Sequence, residues 1–138
     1  MYPTELTAPM AAELENVGFQ SLKTAAEVDQ ILRNSEGTVL LMVNSVCGCA
    51  AGAARPGVIY SLQHEITPDK VVTVFAGVDT EATKKAREYL LPYPPSSPSV
   101  ALFKNGELVH MIERHHIEGR SASMIAANLM AAYDEFCE

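Results

Sequence analysis

Residues 38–44, Thr-Val-Leu-Leu-Met-Val-Asn, run apolar with no polar alternation, and this constrains the fold more than any other stretch of the chain. A strand with one wet face alternates apolar and polar side chains, whereas a strand covered on both faces reads as a continuous apolar run. Residues 70–78, Lys-Val-Val-Thr-Val-Phe-Ala-Gly-Val, repeat the pattern. Two such strands require helices on both sides of one sheet, so the expected class is α/β.

Helical signals fall where that layering needs them. Pro9 near a first turn, Met10, Leu14 and Val17 at helical spacing, and Gly18 as a stop suggest an opening helix. Thr24-Ala25-Ala26-Glu27 reads as a capping box for a second, with Val28, Ile31 and Leu32 inward and an end by Gly37. Residues 49–65 are Ala-rich and helical in tendency, with a break expected near Arg55 because Pro56 removes a backbone donor. Asp79 is a candidate cap for a helix over 80–91 that stops at Pro92. Residues 99–104 and 107–113 flank Asn105-Gly106, a strong hairpin signal. Ser121 can cap a last helix with Ile125, Leu129, Ala132 and Phe136 on its inner face. The expected order is α-α-β-α-β-α-β-β-α: a mixed sheet with right-handed crossovers, closed by an antiparallel hairpin. With no linker or composition shift, residues 1–138 are expected to form a single domain with an N-terminal helical extension.

At 138 residues the chain is long enough to fold without crosslinks. A net charge of −7 argues against nucleic acid or anionic lipid as the main partner, since both select clustered Lys and Arg. Lys84, Lys85 and Arg87 read as the solvated face of a helix. The amino terminus lacks the apolar core of a signal peptide, and no stretch approaches the ~20 apolar residues of a membrane span. A cytoplasmic location follows as an expectation. Closely spaced cysteines there do redox chemistry or bind metal more often than they form structural disulfides. No Ser-His-Asp motif, P-loop or dinucleotide fingerprint is present in the sequence.

Two of the three cysteines stand one residue apart in Asn44-Ser45-Val46-Cys47-Gly48-Cys49-Ala50-Ala51-Gly52. Cys47 falls in the turn after a central strand, beside the free N–H groups that open the next helix. Those donors favour thiolate over thiol, which makes Cys47 a candidate nucleophile. Cys49 is placed to resolve a mixed disulfide at Cys47, and Gly48 removes a side chain from between them. A disulfide across one intervening residue is strained, hence oxidising and quick to exchange.

Ser97-Pro98, directly before a strand that ends in a hairpin, resembles the thioredoxin superfamily. An X–Pro bond at a strand start is ordinarily trans; the resemblance implies a cis Pro98 facing Cys47, with the Ser97 backbone offered to a thiol partner. Residues 44–57, residues 94–120 and Cys137 together resemble the bacilliredoxin family over nearly the whole chain. That resemblance implies a thioredoxin-like three-layer α/β/α sandwich, with a mixed central sheet and a C-terminal antiparallel hairpin. The implied activity, in bacterial cytoplasm, is removal of a low-molecular-weight thiol of the bacillithiol type from mixed disulfides on proteins. Cys47 and Cys49 would be catalytic and Gly48, Ser97 and Pro98 substrate-contacting. No tightly bound cofactor is implied; the small thiol is a co-substrate, and a thiol or reductase regenerates the protein. Absence of CxxC and of any Trp sets the chain apart from ordinary thioredoxins.

Alternatives remain at this point. One is thiol-disulfide isomerase activity, and another is a binding module in which the thiols are incidental. A third is a metal or iron-sulfur site from Cys47, Cys49, Cys137 and one of His64, His110, His115 or His116, although adjacent His115 and His116 should point apart on an extended segment. Cys137 could resolve only if the last helix brings it near Cys47, and its neighbours Asp134, Glu135 and Glu138 should raise its pKa. Arg55 and Arg120 are candidates for carboxylates of a small thiol or for ordinary surface roles. Residues 92–95, Pro-Tyr-Pro-Pro, could form a docking edge.

Overall fold

Both apolar runs are interior strands in the computed structural model, which describes residues 2–33 and 36–137; Glu138 and its expected influence lie outside them. The elements are α1 (Thr4–Glu15), β1 (Gln20–Ser21), α2 (Ala25–Leu32), β2 (Thr38–Asn44), α3 (Arg55–Ser61), β3 (Lys70–Phe75), α4 (Thr80–Tyr89), β4 (Ser99–Lys104), β5 (Glu107–Ile112), α5 (Arg114–Ile117) and α6 (Ala122–Phe136). A five-stranded sheet runs in the order β1-β3-β2-β4-β5. β1 and β2 lie parallel to β3, while β4 is antiparallel to both β2 and β5.

Every residue of β2 is buried because the strand is covered on both faces. Leu40 and Met42 meet Val58 of α3 and Ile125, Leu129 and Tyr133 of α6 on one side. Val39, Leu41 and Val43 meet Leu32 of α2 and Ala82 and Ala86 of α4 on the other. This period-two division between two helical layers is the physical origin of the unbroken apolar run.

Local signals act largely as read. Glu27 N–H donates to Thr24 Oγ1 (3.2 Å) and Thr24 N–H to Glu27 Oε1 (3.1 Å), which completes the capping box. Gly18, at φ 104°, ends α1 with Phe19 N–H donating to Leu14 O. Asn105 and Gly106 both take positive φ, as a two-residue hairpin turn requires. Met124 N–H donates to Ser121 Oγ at 3.2 Å.

Four features depart from expectation. Pro9 lies inside α1 rather than in its first turn. Asp79 occupies the cap position of α4 without capping it, its carboxylate lying 3.7 Å from Lys23 Nζ instead. β1 is two residues long and exists only by pairing with β3, so it carries no periodicity to read. α5 is a single helical turn in place of the extended segment expected there.

Candidate active site

Strand pairing assembles the site. β2 and β4 are antiparallel with Val43 opposite Ser99, so the residues that leave β2 meet those that enter β4. Val100 pairs with Ile112, which brings the first residues beyond β5 to the same end. Cys47 follows β2, Ser97 and Pro98 precede β4, and Arg114 opens α5.

The loop beneath Cys47 is held by a buried cation. Arg55 is 1% exposed, and its Nη1 donates to Asn44 Oδ1 (3.0 Å) and Ser45 O (2.9 Å). Its Nε lies 3.3 Å from Glu13 Oε2 of α1, near enough to pair electrostatically but outside hydrogen-bond alignment. Arg55 is therefore neither a surface residue nor free to meet a thiol's carboxylates, since its guanidinium is committed to fixing the end of β2. Asn44 Nδ2 donates to Met10 O, a second tie to α1. Cys47 N–H in turn donates to Ser45 Oγ at 3.1 Å.

Beyond Cys47 the chain winds as a π-helical turn, Ala50–Ala54, before α3. The wider turn absorbs the break expected at Pro56, which sits in the first turn of α3 where its missing donor costs little.

Cys47 and Cys49 are free thiols whose sulfurs lie 2.7 Å apart. Cys47 Sγ also receives Cys49 N–H at 3.4 Å and Arg114 Nη2 at 3.2 Å. The Cys49 thiol, foremost, then the Cys49 N–H, the Arg114 charge and the Ala50 N–H hold the Cys47 thiol below its ordinary pKa, against a smaller opposing effect of burial. Cys49 packs against the core, and burial foremost, then the hydrogen bond and charge shared with Cys47, push its thiol up. The pair is thus split into an anion-favouring sulfur and a proton-holding one.

The Ser97–Pro98 peptide is cis, in keeping with the thioredoxin resemblance. Arg114 Nη1 donates to Ser97 O at 3.3 Å while Nη2 reaches Cys47, so one guanidinium spans the Cys47 sulfur and the residue before the cis-proline. Sequence reasoning missed Arg114. Counting pairs outward from Asn105-Gly106 would have placed residues 112–114 beside 98–100 to within one residue, the offset coming from a bulge at Leu102/Phe103.

Gly48 differs from its expected role. A Cβ there would meet no atom within 4 Å, and its φ lies outside the left-handed region, so glycine is not required by crowding between the cysteines. The position is exposed and leaves the approach to Cys47 open.

Cys137 lies elsewhere. It sits beside Thr38, Asp69 and Lys104 at the start of β2, about 20 Å of strand from Cys47. Burial first, then Asp69, raises its pKa, in place of the acidic neighbours in its own helix. A site drawing on all three cysteines is excluded by that separation. His64 pairs with Asp134 and His110 with Asn128. His115 and His116 do not point apart: the α5 turn brings their rings to 4.0 Å and their ligand-type atoms, with that of Glu113, within 4.8 Å of one another. Among the described residues no helix is long and apolar enough to cross a membrane.

Residues 2–137 match the model of the Disulphide isomerase family. The chain is 61% identical over 135 residues to the Bacilliredoxin of Cytophaga hutchinsonii, spanning 98% of this chain and 99% of that one. It is 53% identical over 137 residues to Bacilliredoxin BH1716 of Halalkalibacterium halodurans, spanning 99% and 95%. Among solved structures, the thioredoxin of Malassezia sympodialis superimposes with a TM-score of 0.57 at 19% identity, over 88% of this chain and 92% of that one. A mutant thioredoxin from Halobacterium salinarum gives 0.60 at 18%, over 88% and 93%. At these identities the likeness shows the thioredoxin fold.

Proposed function

Because this chain belongs to the bacilliredoxin family, and is accordingly a thiol–disulfide oxidoreductase, we propose that it removes a low-molecular-weight thiol of the bacillithiol type from mixed disulfides on other cytoplasmic proteins. The Cys47 thiolate attacks the small thiol's sulfur, the substrate's S–S bond breaks, and the protein thiolate leaves and takes a proton from water. The small thiol is then disulfide-bonded to Cys47. Cys49 releases it by attacking Cys47 Sγ, or an external thiol does so, and a reductase or further thiol restores the dithiol.

The observation that carries this reading is the asymmetry of the pair, with Cys47 Sγ accepting from Cys49, from a backbone N–H and from Arg114. Thiolate is the attacking form, and Cys49 keeps its proton until Cys47 has become a disulfide sulfur that no longer shares it. In this scheme Ser97 and Pro98 form the wall against which the substrate disulfide lies, and Gly48 leaves room for its backbone.

The family description favours a second reading, disulfide isomerisation by the same Cys47. Intact-mass spectrometry separates the two. Reduced protein is mixed with a substrate carrying a bacillithiol mixed disulfide, for wild type, Cys47→Ser and Cys49→Ser. Transfer of the small thiol to Cys47, or its release with a Cys47–Cys49 disulfide, is expected for wild type and absent in Cys47→Ser. If wild type leaves the mixed disulfide intact yet reactivates a scrambled-disulfide protein, isomerisation takes its place.

A further inference from the structure

The cations of α4, read from the sequence as one solvated face, separate once the helix is packed. Lys85 Nζ pairs with Glu88 Oε1 at 3.1 Å. Lys84 and Arg87 instead line a cleft of about 360 Å³ together with Thr80, Thr83, Gly77 and Pro95. Residues 80, 83, 84 and 87 recur at three- and four-residue spacing, so one face of the helix forms the wall. No residue of the cysteine turn, of Ser97–Pro98 or of α5 takes part in it.

Two polar groups of this wall are buried and unpaired. Thr83 is 3% exposed, and its Oγ1 has no hydrogen-bond partner among the described residues. A threonine inside a helix commonly turns its hydroxyl onto the carbonyl one turn back; here the Thr83 N–H reaches Asp79 O, at 2.8 Å, and the hydroxyl does not. Arg87 Nε is likewise buried without an acceptor. Neither Arg87 nor Lys84 makes a side-chain hydrogen bond or ion pair among the described residues. The nearby acids are engaged elsewhere: Glu81 Oε1 accepts Ala25 N–H at 2.9 Å, Glu88 meets Lys85, and Asp79 lies 3.7 Å from Lys23 Nζ. Among the described residues no carboxylate lines the cleft, although the chain carries a net charge of −7. Buried donors without acceptors are rare in native proteins, because each forfeits the bonds it made in water.

We propose that the cleft between α4 and Pro95 is an anion site that takes a phosphate group, free or as a small monoester, with Thr83 Oγ1 and Arg87 as its inner donors and Lys84 at its mouth. A hydroxyl, a guanidinium and an ammonium converge there, and a phosphate offers oxygens that accept from several directions at once. Two uncommitted cations match its charge of nearly −2 at neutral pH. The volume falls in the range of small-ligand sites. This site is independent of the thiol chemistry at Cys47 and stands whichever reaction Cys47 performs.

The test titrates the reduced full chain with inorganic phosphate, glycerol 3-phosphate or acetate at constant ionic strength, followed by the NMR signals of the Arg87 Nε–H and the Thr83 amide. Either phosphate should shift both signals saturably, and acetate should bind more weakly. Tighter glycerol 3-phosphate would assign the site to a monoester and tighter inorganic phosphate to the free ion; both rankings uphold it. Thr83→Val and Arg87→Gln should each weaken phosphate about tenfold, the scale of one hydrogen bond to a charged group. Lys84→Gln, an exposed change that leaves the core untouched, should weaken it about threefold. Lys85→Gln removes the same charge from the same helix outside the cleft and should change nothing. Absence of a saturable shift across the millimolar range, acetate binding as tightly as phosphate, or an equal loss in Lys84→Gln and Lys85→Gln overturns the site.

Discussion

Arg55→Ala tests whether the buried guanidinium is the support on which Cys47 is mounted. The substitution removes two hydrogen bonds, to Asn44 Oδ1 and Ser45 O. Asn44 Oδ1 keeps Ser45 N–H at 2.9 Å, whereas the carbonyl of Ser45, a residue only 8% exposed, loses its donor. An orphaned buried acceptor costs about 1–3 kcal/mol, and the emptied volume and lost charge-assisted bond add to it. Recovered desolvation of the cation offsets part of the loss. Glu13 is 45% exposed, so its ion pair contributes little. The expected net loss is about 3–5 kcal/mol, in the range for breaking a buried charged cluster by removing one member. For a chain of this length that lowers Tm by about 10–17 °C. Urea titration followed by far-UV circular dichroism measures the loss, since the chain has no Trp to report it. Iodoacetamide alkylation of Cys47, under conditions where the variant is still folded, should be slowed because the Ser45 backbone, no longer tied to Arg55, holds the turn that carries Cys47 less firmly. Glu13→Gln should cost under about 1 kcal/mol. A loss below about 1 kcal/mol in Arg55→Ala, with unchanged alkylation, would refute the reasoning.

Four further outcomes follow from the geometry. Cys47 titrates below an ordinary thiol, so its alkylation rate should rise through a midpoint on the acid side of that range; Cys49→Ala should move the midpoint up most and Arg114→Gln less, since Cys49 is the larger cause. By the same sign, the Cys47 thiolate stabilises the fold above the unfolded-thiol range and ceases to do so as pH falls through the folded value, which pH-dependent urea midpoints of wild type against Cys47→Ser can read. Cys137→Ser should leave the rate of thiol transfer within experimental error, given its place at the opposite end of β2; a large loss would mean that it participates. Tyr133 Oη and Ser61 Oγ lie 2.9 Å apart in the core, with Ser61 Oγ also donating to Val58 O. Tyr133→Phe leaves Ser61 satisfied and should cost about 1 kcal/mol, whereas Ser61→Ala strands a buried phenol and should cost about 1–3 kcal/mol, an asymmetry visible in a double-mutant cycle.

Much of this protein was legible before any coordinates. Two unalternating strands, a capping box, an Asn-Gly turn and Pro56 each act within a few residues, and each is found close to where it was read. The Cys-Gly-Cys turn was equally plain, since its place between a buried strand and a helix start is a local fact. Harder to read were residues whose neighbours come from far along the chain. Arg55 looked like a surface cation in an Ala-rich stretch until Asn44 and Glu13 enclosed it. Arg114 stood 67 residues from the sulfur it touches, and Cys137 gave no sign of which end of the sheet its helix would reach.

The sequence by itself determined the layers, four of the five strands and the place of the cysteine pair directly after β2, because apolar period, caps and turns are settled by bonds only a few residues long. Tertiary structure alone decided which cation faces the thiolate, which is buried beneath it, and that the third cysteine lies out of reach. Antiparallel pairing of β2 with β4, and of β4 with β5, carries residues 44–49, 97–98 and 112–114 to one end of the sheet. That register is set by the fit of whole faces, a property that no single segment holds.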